Sequence, residues 1–125
     1  MTIDGSFPLE LKRTKPYGYS LFNLDALATI AHLLEITEYK LEDGKSLKIG
    51  VKYLFPFVAN KESWPHPKDV MYWENWPVAH PFLLFYFINF NDKTYFDLWK
   101  KLDHFPTEHE VLRNLPIRNP IIFLE

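Results

Sequence analysis

Three cations and two tyrosines stand close together near the start of this chain. Lys12, Arg13 and Lys15 precede Tyr17 and Tyr19, with Pro16 and Gly18 between them. An arginine guanidinium can hold a carboxylate through two parallel hydrogen bonds. A cation beside a tyrosine favours its phenolate form, which suits the ring to proton abstraction. A carboxylate-binding cation next to a proton-abstracting tyrosine is equipment for β-elimination of a uronate. The same residues could instead be packed rings and solvated charges.

Other residues are weaker candidates. Tyr72, Trp73 and Trp76 lie in a long Pro/Trp-rich stretch with Trp64, and flat rings match the C–H faces of pyranoses. The alternative is that these rings pin the stretch to the helices. His66, between Pro65 and Pro67, could approach a sugar, and Lys68 and Asp69 are possible rim contacts. His32 reads as packing within a helix, and Asp25 as structural. His104 and His109 straddle Pro106 and share no helix face. No His-Glu-x-x-His or comparable metal-ligand spacing occurs, and arginine and lysine can themselves neutralise a carboxylate, so neither a metal nor a cofactor is expected. There is no Gly-x-Ser-x-Gly elbow and no phosphate-cradling glycine loop.

The composition sets the frame for these residues. The 125 residues are 47% hydrophobic and 18% aromatic, which fits one folded segment over 1–125 and excludes a disordered chain. A net charge of −2 and a pI near 6.2 give no electrostatic case for nucleic acid. Cysteine is absent, so thiol catalysis and disulfides are excluded. Met1–Leu11 contains no apolar signal-peptide core, and the apolar run Pro81–Phe90 is shorter than the roughly 20 residues that span a bilayer.

The pattern of apolar residues predicts helices. Residues Met1–Gly18 read as a loop broken by Pro8 and Pro16. A helix follows from Ser20, capped by Ser20 or Asn23, with Leu24, Leu27, Ala28, Ala31 and Leu34 at helical spacing, ending before the turn pair Asp43-Gly44. A second starts near Ser46, with Pro56 predicting a kink or early stop. After the irregular Asn60–Pro81 stretch, with a short helical turn at Asp69–Glu74, a helix apolar all round covers Phe82–Asn89. Thr94 caps a fourth through Leu102, and Thr107 with Glu110 matches a capping box for a last helix to Asn114. The tail from Pro116 reads as extended.

The stretch Asp4–Asp25, and above all Arg13 through Tyr19-Ser20-Leu21-Phe22-Asn23-Leu24, resembles the catalytic segment of the alginate lyase family of polysaccharide lyases. Asp69–Trp73, Trp76-Pro77 and Arg113–Pro116 extend that resemblance less specifically. It implies an all-α fold, an α/α toroid or incomplete helical barrel with long Pro/Trp-rich loops. It implies a lyase that cleaves a polyuronate by β-elimination, with an acidic polysaccharide as partner and a periplasmic or secreted setting. By the resemblance, Tyr19 removes the C5 proton and protonates the leaving O4, with Tyr17 as runner-up, and Arg13 takes part in catalysis. Lys12, Lys15, His66, Tyr72, Trp73 and Trp76 are the candidate substrate contacts.

The family also uses an Asn-His pair on an earlier helix, and this sequence contains no Asn-His dipeptide. The chain is therefore expected to be the C-terminal part of such a domain, with the upstream part absent and little activity of its own. Helix faces such as Phe82–Phe90 would then be open to solvent, to an upstream chain or to self-association. The alternative is a non-catalytic helical module that binds acidic glycan or packs against a partner chain.

Overall fold

A computed structural model describes residues 1–36 and 45–124. The described residues form helices and turns, with no sheet among them. The helices are α1 (Pro8–Leu11), α2 (Pro16–Leu33), α3 (Leu47–Ala59), α4 (Pro81–Phe90), α5 (Lys93–Lys101) and α6 (His109–Asn114). Short 3-10 turns lie at Lys61–Ser63, Trp73–Asn75 and Pro120–Phe123. No helix among the described residues is long and apolar enough to cross a membrane.

Proline starts these helices where the sequence reading made it a breaker. Pro8, Pro16 and Pro81 stand at the first positions of α1, α2 and α4, where the missing N–H would have no intrahelical partner. α2 therefore begins four residues earlier than Ser20, and Tyr17 and Tyr19 belong to its first turns rather than to a loop. It ends at Leu33, and the turn expected at Asp43-Gly44 lies outside the described residues. α3 starts beside Ser46 as expected, with Ser46 capping it by accepting from the Ile49 N–H at 3.3 Å, and α3 runs through Pro56 to Ala59. Asp92, not Thr94, caps α5. Glu108, not Thr107, caps α6. The tail closes in a 3-10 turn rather than staying extended.

α4 is the centre of the fold. It packs on α2, α3 and α5, and Phe82 through Tyr86 are all buried. That corrects the expectation of an open Phe82–Phe90 face: an all-round apolar helix is satisfied by neighbours on every side. Asn91, in the left-handed conformation that asparagine tolerates, turns α4 directly into α5. Ring pairs then zip the two helices together, Tyr86 on Tyr95 at 4.1 Å and Phe87 on Phe96 at 4.7 Å. Burial of each such side chain contributes about 1.5–3 kcal/mol. Among the described residues, one apolar stripe that stays open runs along the end of α2, where Ile30, Leu33 and Leu34 are more than half exposed at helical spacing.

A buried polar pair fixes α4 against α2. Asp25 accepts from the His80 Nδ1 at 2.8 Å and from the Phe82 backbone N–H at 3.1 Å. The Val78 N–H donates to His80 Nε2 at 3.2 Å, so the imidazole is the neutral Nδ1–H tautomer. Asp25 is structural, as its sequence position suggested, but it reaches across to α4 instead of bonding within its own helix.

Candidate functional site

The start of α2 is held by a residue 51 and 52 positions away in the chain. Asp69, buried in the long loop, accepts from the backbone N–H groups of Tyr17 and Gly18, both at 2.8 Å. These are two of the unpaired donors that every helix N-terminus presents. Lys15, at the capping position, makes no side-chain cap, so Asp69 performs that task from outside. Burial pushes the Asp69 carboxyl up, while the two N–H bonds and the charges of Lys15 and Lys61 oppose the rise. Gly18 makes this approach possible: a Cβ there would stand 2.9 Å from both Asp69 Oδ2 and Trp76 Nε1.

The loop is anchored in turn. Lys61 donates to the carbonyls of Trp73 at 2.6 Å and Trp76 at 2.9 Å, and Val70 N–H donates to Thr14 O at 3.0 Å. Trp73 and Trp76 are buried, Trp73 against Tyr17 and Trp76 stacked on His80. Both rings are core rather than the open platforms for a sugar that the sequence suggests, and only Trp76 reaches the depression beside Tyr19. Trp64 is likewise buried, edge-on to Tyr17. Asp69 is a helix cap rather than a rim contact.

Tyr17 is corrected in the same way. Its ring is fully buried, and its hydroxyl donates at 2.8 Å to the carbonyl of Phe57, in the last turn of α3 where carbonyls lack helical partners. Burial, with the nearby Asp69 charge, pushes its phenol far up, which is the opposite of what a base needs.

Tyr19 has the other environment. Two residues further along α2 it is half-buried, and the Arg13 guanidinium lies 3.6 Å above its ring centroid. Lys15 Nζ stands 5.0 Å from the same centroid and 5.3 Å from that of Tyr72, which is also half-buried. Arg13, Lys15, Tyr19 and Tyr72 therefore converge. Lys12 is exposed on the adjoining turn. His66 is set apart: its Nε2 shares a 2.8 Å hydrogen bond with the Tyr53 hydroxyl.

α6 supplies members that the sequence reading missed. Glu110 Oε1 accepts from Lys15 Nζ at 2.8 Å, and Glu110 Oε2 lies 2.9 Å from Arg113 Nε. Asn114 Nδ2 is 3.4 Å from Glu110 Oε1. The Lys15 hydrogen bond, with the charges of Lys15 and Arg113, holds the Glu110 carboxyl below its ordinary value. Reciprocally, Glu110 raises the Lys15 ammonium against the opposing effect of burial, and Tyr19 adds to the rise. Lys15, Gly18, Tyr19, Trp76, Glu110 and Asn114 line one shallow depression. Ninety-five residues separate Lys15 from Glu110, and no local pattern joins them. Among the described residues no group of three or more histidine or acidic side chains could hold a metal.

The arrangement offers a tyrosine bracketed by two cations, with an amide and a carboxylate beside it. Comparison with known proteins bears on its chemistry. No curated protein and no solved structure matches the chain. The family model described as alginate lyase matches residues 1–64, just over half its length, and those residues include Lys12, Arg13, Lys15, Tyr17 and Tyr19 but neither His66 nor Tyr72. The chain belongs to the alginate lyase family.

Proposed function

We propose that the chain carries the tyrosine-and-cation part of a polysaccharide lyase site acting on a polyuronate such as alginate. The observation that carries this reading is the bracketing of Tyr19 by Arg13 and Lys15, inside the stretch matched by the family model. In the reaction the cations neutralise the C6 carboxylate, which acidifies the C5 proton. Tyr19 takes that proton, the electron pair forms the C4–C5 double bond, and the C4–O4 bond breaks. The Tyr19 phenol then returns the proton to O4. No oxidant, metal or cofactor enters the balance.

The wider arrangement we propose is a segment of an α/α toroid, for which the packing of the consecutive helices α4 and α5 and the open apolar stripe on α2 are the support. That stripe would meet an upstream chain or a second copy. Polyuronates are extracellular materials, so a periplasmic or secreted setting fits the reading.

A second reading is non-catalytic binding of acidic glycan, in which Arg13 and Lys15 hold a carboxylate and Tyr19 does no chemistry; both cations already take carboxylates within the chain, Lys15 from Glu110 at 2.8 Å and Arg13 from Glu10 at 3.3 Å. For the same reason turnover by the chain alone is expected to be slight. Absorbance of the unsaturated product from alginate and from glucuronan tests the two. Product formation that disappears in Tyr19→Phe, with binding of an oligouronate retained, supports the lyase reading. Oligouronate binding with no product at all supports the second reading. Undiminished turnover in Tyr19→Phe would remove Tyr19 from the chemistry.

A further inference from the structure

A concavity near the C-terminal end lies away from Tyr19. It is a cleft of about 510 Å³, between the loop after α5 and the turn at Pro120–Phe123. Its lining includes Trp99, His104, Phe105, Pro106, Arg118 and Asn119. A second recess of about 420 Å³ adjoins it and shares His104, Phe105, Pro106, Arg118 and Asn119. Volumes of this size suit a ligand of one or two sugar rings.

We propose that this cleft is a separate binding subsite for a uronate residue of an acidic glycan. Four features of the wall fit that occupant. Phe105 is 88% exposed at the lip. An exposed phenylalanine alone needs no explanation, but the backbone that carries this one is held: the Phe105 backbone N–H donates to Asp103 Oδ1 at 2.9 Å, and the Asp103 carbonyl accepts from Ala79 N–H at 2.8 Å. With Pro106 beside it, it offers a flat apolar face for pyranose C–H groups. Behind it the floor is firm, since His104 meets Trp99 edge-on at 4.4 Å. Finally, Arg118 is exposed and makes no ion pair among the described residues, so its guanidinium is free for a carboxylate. Asn119 supplies an amide for hydroxyls. Lys100, also in the lining, sits 3.5 Å from Asp97, and the Asp103 carboxylate is turned onto its own loop. Among the described residues Arg118 is thus the lining cation without an ion-pair partner, and it is the group that would favour an acidic sugar over a neutral one.

The choice of uronate as the acid rests on the polyuronate reading above, and the test separates the two. The folded chain is titrated with trimannuronate, with neutral cellotriose and with benzoate, following NMR shifts of Phe105, Arg118 and the Trp99 indole. Phe105→Ala and Arg118→Ala alter exposed side chains and leave the core intact. Trimannuronate is expected to shift these signals, to bind roughly tenfold more weakly at the cleft in Arg118→Ala, and to bind there unchanged in Arg13→Ala. Failure of trimannuronate to shift Phe105 and Arg118 would overturn the subsite, and shifts confined to Arg13, Lys15 and Tyr19 would do so while leaving the proposed function standing. Cellotriose or benzoate binding as tightly as trimannuronate would overturn the uronate assignment.

Discussion

The Arg13 guanidinium lies 3.6 Å above the ring centroid of Tyr19, whereas the Tyr17 hydroxyl, two residues earlier, is donated to the Phe57 carbonyl inside the core. About half a turn of helix thus separates a structural tyrosine from one beside free surface and positive charge. Tyr17→Phe removes one buried hydrogen bond and should lower stability by about 1 kcal/mol, leaving oligouronate binding unchanged. Tyr19→Phe should leave the melting temperature nearly unchanged and abolish any lyase turnover. Thermal unfolding and product absorbance, measured on both variants, check the assignment; the reverse pattern would exchange the roles.

Asp69 holds the start of α2 from across the molecule. Asp69→Ala leaves the N–H groups of Tyr17 and Gly18 without an acceptor and should cost about 2–3 kcal/mol. Asp69→Asn keeps one acceptor oxygen and should cost less. Gly18→Ala gains helix propensity of about 1 kcal/mol, but its Cβ would press on Asp69 and Trp76 at 2.9 Å, so the net effect should be destabilising. Urea unfolding of the three variants provides the comparison. A stabilised Gly18→Ala would show that the loop yields easily.

Asp25 takes two donors, the His80 Nδ1–H and the Phe82 N–H. Asp25→Ala should destabilise by roughly 3 kcal/mol, because the Phe82 N–H and His80 Nδ1–H would both be buried without partners. Calorimetry would show this as a lowered melting temperature. An unchanged one would mean that water reaches the pair.

The ion pair between α2 and α6 has a defined pH window. Glu110 is held below its ordinary value of 4.5 chiefly by Lys15, so its contribution is present above that pH and is lost as pH falls through the lower folded value. Lys15 is raised above 10.5 chiefly by Glu110, so its share is complete below that pH and is lost only as pH rises through the still higher folded value. The stability difference between wild type and Glu110→Gln should therefore be flat, at about 1 kcal/mol, across neutral pH and shrink below about pH 4.5. Denaturant unfolding at a series of pH values measures it; a difference that persists at low pH would mean that Glu110 acts through packing.

Much of the fold was legible because apolar spacing reports burial: the courses of α3, α4 and α5 follow from it to within a few residues. The start of α2 was not, because proline breaks a helix interior but begins a helix equally well, and only the following residues decide which. The Arg13, Lys15 and Tyr19 cluster was visible as a local run. Which tyrosine faces out was not, since that depends on Trp64 and Trp73 closing over Tyr17 from the distant loop. The Trp residues were ambiguous for the same reason: a sugar platform and a core ring have one sequence signature. Glu110 and Asn114 were out of reach because the contact that brings them in is set by tertiary packing alone.

The most direct test of the account is a titration of the folded chain with trimannuronate, read at the Tyr19 ring and the Lys15 ammonium by NMR. Both signals should move together with one dissociation constant. Binding should weaken roughly tenfold in Arg13→Ala and survive in Tyr19→Phe. Signals at Tyr19 and Lys15 that stay fixed at saturating trimannuronate, in a chain that remains folded, would contradict it.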